Sequence, residues 1–254
     1  MIAEERKALL MNRLREDGYV QVADLAAELN LTPVTIRRDL ILLEEEGLCI
    51  RKRGGAVRST QGVTAEIPYD VKKNRNIAEK NRIASAAISL VENGDTILLD
   101  AGSTIYSLAC LLHTRERLTV VTHDLNIAVK LASNPRINLI CTGGIARANV
   151  FTLQGSQVVD FIRNLKVDKS FIGADAIHSD GTISNVNIEE VPIKQAMIES
   201  ANQVILLTDS SKFGITGFAK VCNITDIDYL ITDSNAPEEF RNCCKEKKIN
   251  TIFA

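Results

Sequence analysis

Residues 32–46 read TPVTIRRDLILLEEE, and this stretch decides how the first part of the chain folds. Thr32 is suited to accept a backbone N–H as an N-cap, and Pro33 at the first helical position has its φ preset and gives up no useful donor. The helix therefore starts sharply. Ile36, Leu40 and Leu43 fall at i, i+4 and i+7 and are expected to pack inward. Thr35, Arg37 and Arg38 are left near the exposed N-terminal end, the part of such a helix that enters a major groove.

The flanking sequence completes a motif. Residues 22–29, VADLAAEL, carry an apolar face of Val22, Leu25, Ala26 and Leu29, and Asn30-Leu31 make a short turn, which is helix-turn-helix spacing. An earlier amphipathic segment, residues 3–17, sets Leu9, Leu10 and Leu14 on one face, with Gly18 as its C-cap. Gly47 ends the third helix. Residues 48–57, LCIRKRGGAV, then alternate apolar and basic side chains before turning at Gly54-Gly55, which reads as a basic wing. Two arginines on a helix are by themselves an ordinary solvated surface. Here order and clustering carry the argument, with Arg37, Arg38, Arg51, Lys52, Arg53 and Arg58 close together, so Thr32, Pro33, Thr35, Arg37, Arg38, Arg51, Lys52 and Arg53 form the expected DNA-binding set. The acidic run 44–46 is expected to face solvent, away from phosphate. With 30 basic against 32 acidic residues and a formal charge of −2, the electrostatic argument is local rather than global.

A chain of 254 residues accommodates a small N-terminal module and a larger domain. Boundaries are expected at 1–58 for the DNA-binding domain, 59–80 for a linker and 81–254 for an α/β domain. Residues 59–70, STQGVTAEIPYD, show no sustained period, and a single helix over 69–90 would align Val71, Ile83, Ala87 and Leu90. No apolar run is long enough to span a membrane, and Met1 is followed by charged residues rather than a signal-peptide core, so a cytoplasmic protein is expected. The six cysteines, at 49, 110, 141, 222, 243 and 244, lack CxxC or ligand spacing and are expected to be buried, reduced thiols. Neither a metal nor a cofactor is expected.

From Asp95 onward β-branched runs alternate with helical segments: TILLD, LTVVT, INLIC, SFIGA, QVILLTD, YLITD and NTIF, with SLACLL and IAVKLA between the first of them. This is the pattern of a mostly parallel α/β sheet, in which ligands bind beyond the carboxyl ends of the strands. Chemistry-capable residues collect there. Asp100, Gly102, Ser103 and Thr104 follow the first strand; Thr122, His123 and Asp124 the second; Gly143, Gly144 and Arg147 the third; Gly173 and Asp175 the fourth; Lys212 the fifth. Backbone N–H groups and hydroxyls at 102–104, with Lys212 as a point charge, suit a phosphate, and Asp100 and Asp175 suit sugar hydroxyls. No one of these signals is specific: DAGST lacks the GK pair of a Walker loop, and paired glycines are commonly a turn.

The N-terminal segment resembles the DeoR family of bacterial transcriptional regulators, whose TIRRDL recognition helix, LE-x-x-G-x-L bridge and basic GGA wing correspond to residues 35–40, 43–48 and 51–56. Arg53 replaces the histidine common before the glycines. GDTILLDAGST, LTVVTHDLNIA, TGGIARANVFTLQG, FIGADAIHSDGTISN and DSSKFG resemble the sensor domain of that family, with His123 where asparagine and Ala176 where glycine are usual. The resemblance implies a winged helix-turn-helix plus a sensor domain with a fold like ribose-phosphate isomerase. It also implies a repressor of a sugar-utilisation operon, released from double-stranded operator DNA by a phosphorylated sugar. A dimer or tetramer is expected, since paired recognition helices read half-sites. The competing reading is a sugar-phosphate isomerase fused to a DNA-binding module. The Lys-Gly-Gly-Gly loop those enzymes place before their glutamate base is absent between Asp175 and Asp209, and Glu189-Glu190 are expected to favour a helix dipole instead.

Overall fold

Leu10, Leu14, Ile36, Leu40 and Leu43 are at most 1% exposed and bring three helices onto one small core. These helices are α1 (Ala3–Asp17), α2 (Val22–Glu28) and α3 (Pro33–Glu45), with a strand β1 (Tyr19–Gln21) between the first two and a hairpin, β2 (Cys49–Lys52) and β3 (Gly55–Arg58), after the third. In this computed structural model residues 3–17, 19–45, 48–58, 69–148 and 150–254 are described. The glycines 18 and 47 expected to end helices, Pro68 and residues 59–68 of the expected linker lie outside the described residues, as do the side chains of Arg58 and Val71. The chain divides into two units, Met1–Glu66 and Ile67–Ala254.

In the first unit the strands run β1-β3-β2, all antiparallel. At three residues β1 is too short for alternation to announce it. The wing glycines have distinct reasons. Gly54 sits at φ +87, in the left-handed region that glycine enters without penalty. Gly55 is required by contact, because a Cβ there would lie 2.0 Å from the Val20 carbonyl oxygen on β1. Asp39 of α3 faces inward, and its two oxygens take Nε and Nη2 of Arg6 on α1, the latter at 2.8 Å. The acidic run does not simply face water as expected: Glu44 accepts the Arg51 backbone N–H at 2.9 Å and its Nε at 2.8 Å, fastening the wing to the end of α3.

The second unit opens with α4 (Tyr69–Asn74) and α5 (Ile77–Ala87), not the single helix expected over 69–90. The break falls at Asn76, whose φ is +51, a conformation asparagine tolerates better than most side chains. The chain continues through β4 (Thr96–Leu99), α6 (Ser103–Leu111), β5 (Leu118–Thr122), α7 (Leu125–Leu131) and β6 (Ile137–Cys141). A two-strand ribbon, β7 (Ile145–Ala146) and β8 (Leu153–Gln154), leads to α8 (Ser156–Arg163) and β9 (Val167–Ile172). Then come β10 (Ala176–Ile177), β11 (Thr182–Asn185), α9 (Val191–Ser200), β12 (Ala201–Leu207), β13 (Ala219–Asn223), β14 (Tyr229–Thr232), α10 (Glu238–Glu246) and β15 (Asn250–Phe253).

Seven strands form one sheet in the order β15-β14-β12-β9-β4-β5-β6, every neighbouring pair parallel. Alternate residues of β4 point to opposite faces. Leu98 joins a core with Val158, Ile162 and Met197, whereas Ile97 and Leu99 join one with Ile83, Ile105 and Leu108. The chain enters at β4, proceeds outward through β5 and β6, then returns to β9 on the other side of β4. That reversal makes the β4/β9 boundary the topological switch point, where a crevice opens at the strand ends. A small antiparallel sheet, β10-β11-β13, was not foreseen because β10 and β11 are brief and β13 mixes polar with apolar residues.

The expectation of uniformly buried cysteines needs correction: Cys49, Cys222 and Cys244 are buried, Cys110 and Cys243 half-buried, and Cys141, last in the edge strand β6, is exposed. No described helix is long and apolar enough to cross a membrane.

The Gly55 contact is with backbone, so no rotamer change relieves it. Gly55→Ala is expected to destabilise the first unit by about 1–3 kcal/mol, as overpacking does, and to lower its melting transition; an unchanged melt would show that β1 moves aside at little cost.

Candidate functional site

The first constellation is the exposed end of α3. Thr32 Oγ1 accepts the Thr35 N–H at 3.2 Å and lies 3.0 Å from Thr35 Oγ1, so the cap forms as the sequence indicates. Thr32, Pro33, Arg37 and Arg38 are exposed and Thr35 half-buried. Neither Arg37 nor Arg38 makes an ion pair among the described residues, which leaves both guanidinium groups available. Lys52 and Arg53 are exposed at the wing tip, whereas Arg51 already shares its charge with Glu44. Among the described residues of α3 and the wing, the exposed positive charge outside any ion pair is Arg37, Arg38, Lys52 and Arg53.

The second constellation lies at the switch point. Asp100, immediately after β4, is 1% exposed. One carboxylate oxygen, Oδ2, accepts the Gly173 N–H at 2.7 Å and also bonds the ammonium of Lys194, which donates further to the Gly173 carbonyl at 3.0 Å. The other, Oδ1, stands 3.6 Å from Nε2 of His123. Asp100 thus ties the ends of β4 and β9 to α9 and is sealed from a ligand hydroxyl. Burial opposes the charge on Lys194, but Asp100 and Glu190 raise its pKa and keep the ammonium protonated. Burial lowers His123 to about 4, against the pull of Asp100, so the imidazole is neutral near pH 7.

Around this pair each loop has its own closure. Thr122 donates its hydroxyl to the Leu99 carbonyl at 2.9 Å and accepts the Asp124 N–H at 3.1 Å. Asp124 caps α7 through the N–H groups of Asn126 and Ile127 and takes the Gly102 N–H at 3.2 Å, and burial raises its pKa to about 6. Gly102, at φ +126, precedes α6, whose first residue Ser103 is buried and whose second, Thr104, is half-buried. Arg147 pairs with Glu190 at 3.4 Å. Gly143 and Gly144 are exposed, and a Cβ on Gly144 would lie 2.9 Å from the Gln154 carbonyl oxygen, a packing reason for that glycine. Asp175 accepts the Lys72 ammonium at 2.7 Å and the Val186 N–H at 3.2 Å. Burial resists its charge, yet Lys72 prevails and holds its pKa at about 2.

Lys212 differs from the other lysines here. Half-buried, it follows β12, and its ammonium makes no hydrogen bond or ion pair among the described residues. Burial and then the nearby Lys72 push its pKa down.

Sequence reasoning missed four members and undervalued a fifth. Lys194 and Glu190 stand with Met197 at i+4, i and i+7 of one buried helical face, and Lys80 stands with Ile83, Ala84 and Ala87 on another. A charged residue on an apolar stripe was the available signal. Lys80 closes the C-terminus of α4, donating to the carbonyls of Lys72 and, at 2.6 Å, Arg75. Lys72 and Asn185 carried no such mark. Glu190 is not merely a dipole residue: it accepts Asn185 Nδ2 at 2.7 Å and is buried enough that its pKa rises to about 7, Lys194 only partly countering. No cluster of three or more potential metal-ligating His, Cys, Asp or Glu side chains occurs among the described residues.

A winged helix-turn-helix followed by a parallel α/β unit with polar groups converging at its switch point is the make-up of a ligand-responsive DNA-binding regulator. Residues 6–62 match the DeoR-like helix-turn-helix domain and residues 75–234 the DeoR C-terminal sensor domain. The chain belongs to the DeoR family of transcriptional regulators. It is 36% identical over 236 residues to the regulator GolR of Listeria innocua, covering 92% of each chain. To a putative aga operon transcriptional repressor of Escherichia coli O157:H7 it is 33% identical over 98% of this chain and 93% of that one. To the glycerol-3-phosphate regulon repressor of Haemophilus influenzae it is 32% identical over 98% and 96%. Among solved structures, ribose 5-phosphate isomerase A of Methanocaldococcus jannaschii aligns over 54% of this chain and 55% of that one, at 20% identity and a TM-score of 0.41.

Two outcomes follow from the buried charges. Lys194→Met alone leaves Asp100 unpaired and is expected to cost roughly 3–5 kcal/mol. Adding Asp100→Asn should restore much of that, measured by urea denaturation; a strictly additive double variant would deny the coupling. For Glu190, a folded pKa of about 7 lies above its ordinary 4.5. Its stabilising contribution is thus complete below about pH 4.5 and is lost as pH rises through 7. Between pH 5 and 8 the melting temperature of Glu190→Gln should gain on wild type; a constant difference would mean that Glu190 ionises normally.

Proposed function

We propose that this regulator is a repressor of genes for using a sugar or sugar derivative and that a phosphorylated sugar releases it from operator DNA. The observation that carries the ligand class is Lys212, a half-buried ammonium without a hydrogen bond or ion pair among the described residues, in the last of a ring of strand-end loops. An anion there gains a charge-assisted bond and relieves the cost of an uncompensated cation. The N–H groups at the start of α6, with Ser103 and Thr104, extend the anion site, and Asp175 supplies an acceptor for hydroxyls. Arg147 and His123 border the same loops. Asp100, Thr122, Asp124, Gly143, Gly144 and Gly173 shape them.

The likeness to repressors named for the aga operon and the glycerol-3-phosphate regulon supports the same reading. Thr32, Pro33, Thr35, Arg37, Arg38, Lys52 and Arg53 meet the duplex, with Arg51 bridging between Glu44 and phosphate. The protein acts in the cytoplasm as a dimer or tetramer, so that two recognition helices reach successive half-sites. Control requires no turnover from the pocket. Coupling of roughly 1–3 kcal/mol between effector and operator changes DNA affinity about 5- to 150-fold.

Fluorescence anisotropy on DNA from the protein's own upstream region, with a panel of sugar phosphates and their unphosphorylated counterparts, tests the reading. Arg38→Ala should lose operator affinity and keep effector-induced thermal stabilisation. Lys212→Ala should keep operator binding and lose release. Release by unphosphorylated sugars alone would overturn the phosphate assignment, and turnover of any of these sugars would move the protein to the isomerases.

A further inference from the structure

The outward side of α3 carries one side chain that neither the core nor the surface charge explains. Val34, in the first turn, is 70% exposed. Ile36, Leu40 and Leu43 form the buried stripe of the helix, and Val34 lies two residues ahead of it, on the opposite side. Its neighbours narrow what it can meet. Thr32 Oγ1 accepts the Thr35 N–H, and the two threonine hydroxyls face each other at 3.0 Å, so both hydroxyls of the first turn have partners within the cap. Pro33, also exposed, presents a ring without an N–H. The tip is thus largely apolar, and its charge begins one turn later at Arg37 and Arg38, three and four positions from Val34. A single exposed valine that faces only water is an ordinary occurrence. At the end of a helix that enters a major groove, it faces base edges.

We propose that Val34 is a specificity-determining residue that reads the 5-methyl group of a thymine in the operator. The proposal rests on the reading of α3 as the DNA-contacting helix and adds a base-specific contact to it. Of the groups that the four bases display in the major groove, the thymine methyl alone is apolar, and the others donate or accept hydrogen bonds. Valine has neither donor nor acceptor to offer them. Over adenine, guanine or cytosine it strips water from a polar edge and returns nothing, whereas over thymine two apolar surfaces leave water together. Val34 therefore discriminates both by attraction to thymine and by a penalty on the alternatives. Its branched Cβ leaves one strongly preferred χ1 in a helix, so the contact orders little that is not already fixed. Side chains three and four apart on a helix stand about 5–6 Å from each other at Cβ, against a rise of about 3.4 Å per base pair. Arg37 or Arg38, whose favoured base partner is guanine through O6 and N7, thus falls within one or two base pairs of that thymine. The expected half-site carries a thymine and a guanine at that spacing, on the same strand or on opposite strands.

The experiment starts from duplexes that the full chain selects out of a random pool. In the recovered sequence each thymine is replaced in turn, in every half-site, by deoxyuridine, which pairs alike and lacks only the methyl, and affinity is measured by fluorescence anisotropy. At one position the replacement is expected to weaken wild type about four-fold per methyl, the effect of one apolar carbon returned to water. Val34→Ala is expected to melt as wild type does, to bind the thymine operator less tightly, and to be indifferent to deoxyuridine at that position. Lys52→Ala, which removes a charge from the wing, is expected to weaken binding and keep the deoxyuridine effect. An effect that persists undiminished in Val34→Ala comes from duplex shape or from another side chain and overturns the proposal, as does a wild type indifferent to every replacement. A loss in Val34→Ala that is equal on selected and random DNA and comes with a lowered melt assigns Val34 to the fold, and overturns it as well. Recovery of no sequence above the random pool overturns the reading of α3 as a base-reading helix, and the proposal with it.

Discussion

The sensor unit depends on one buried ion pair. Asp100 and Lys194 are 1% and 4% exposed and lie at the boundary where the strand order reverses. Two charges withdrawn from water cost several kcal/mol each unless their geometry and remaining hydrogen bonds compensate. Compensation is nearly complete here, since Gly173 gives Asp100 its N–H and takes a proton bond from Lys194 through its carbonyl. The result is a rigid polar floor joining the ends of β4 and β9 to α9. Glu190 stands beside it, and the Lys194 ammonium partly offsets the burial that raises the Glu190 pKa. A hydrophobic floor of equal volume would pack as well but would leave the crevice without its alignment.

The DNA-binding unit uses the same device at smaller scale. Asp39 follows directly on Arg37 and Arg38, yet it turns inward to Arg6 rather than toward DNA. That pair fixes the rotation of α3 about its axis, and so determines that the two arginines face outward. Glu44 fixes the wing from the other end of the helix. Each acid in this basic surface orients an element instead of neutralising the surface at large.

How much of this was legible depends on the length of the signal. All seven strands of the parallel sheet show as apolar or β-branched runs, the inner ones because both faces are covered, and the Ile36, Leu40, Leu43 stripe marks its helix without ambiguity. Strands of two to four residues, such as β1, β10 and β11, are shorter than any period that could reveal them. The strand-end loops were visible as clusters of small and polar residues, but their partners were not. Asp100 looked like a ligand group and is in fact held by a lysine 94 positions away. Lys72 reaches Asp175 across 103 positions, with nothing local to signal it. Spacing reports neighbours on one element, whereas these contacts are made by the topology.

The cysteines have a practical consequence. Burial raises the thiol of Cys49 to about 11 and that of Cys222 to about 12, so neither offers appreciable thiolate at neutral pH. Cys141 is exposed at the tip of edge strand β6, and the next residue, Thr142, donates its N–H to the carbonyl of Thr122 beside His123. A maleimide dye would therefore settle first on a native position one strand from the loop of Thr122 and His123, beside the proposed effector site. The protein comes with its own attachment point for an optical reporter of occupancy, with no residue replaced to create it.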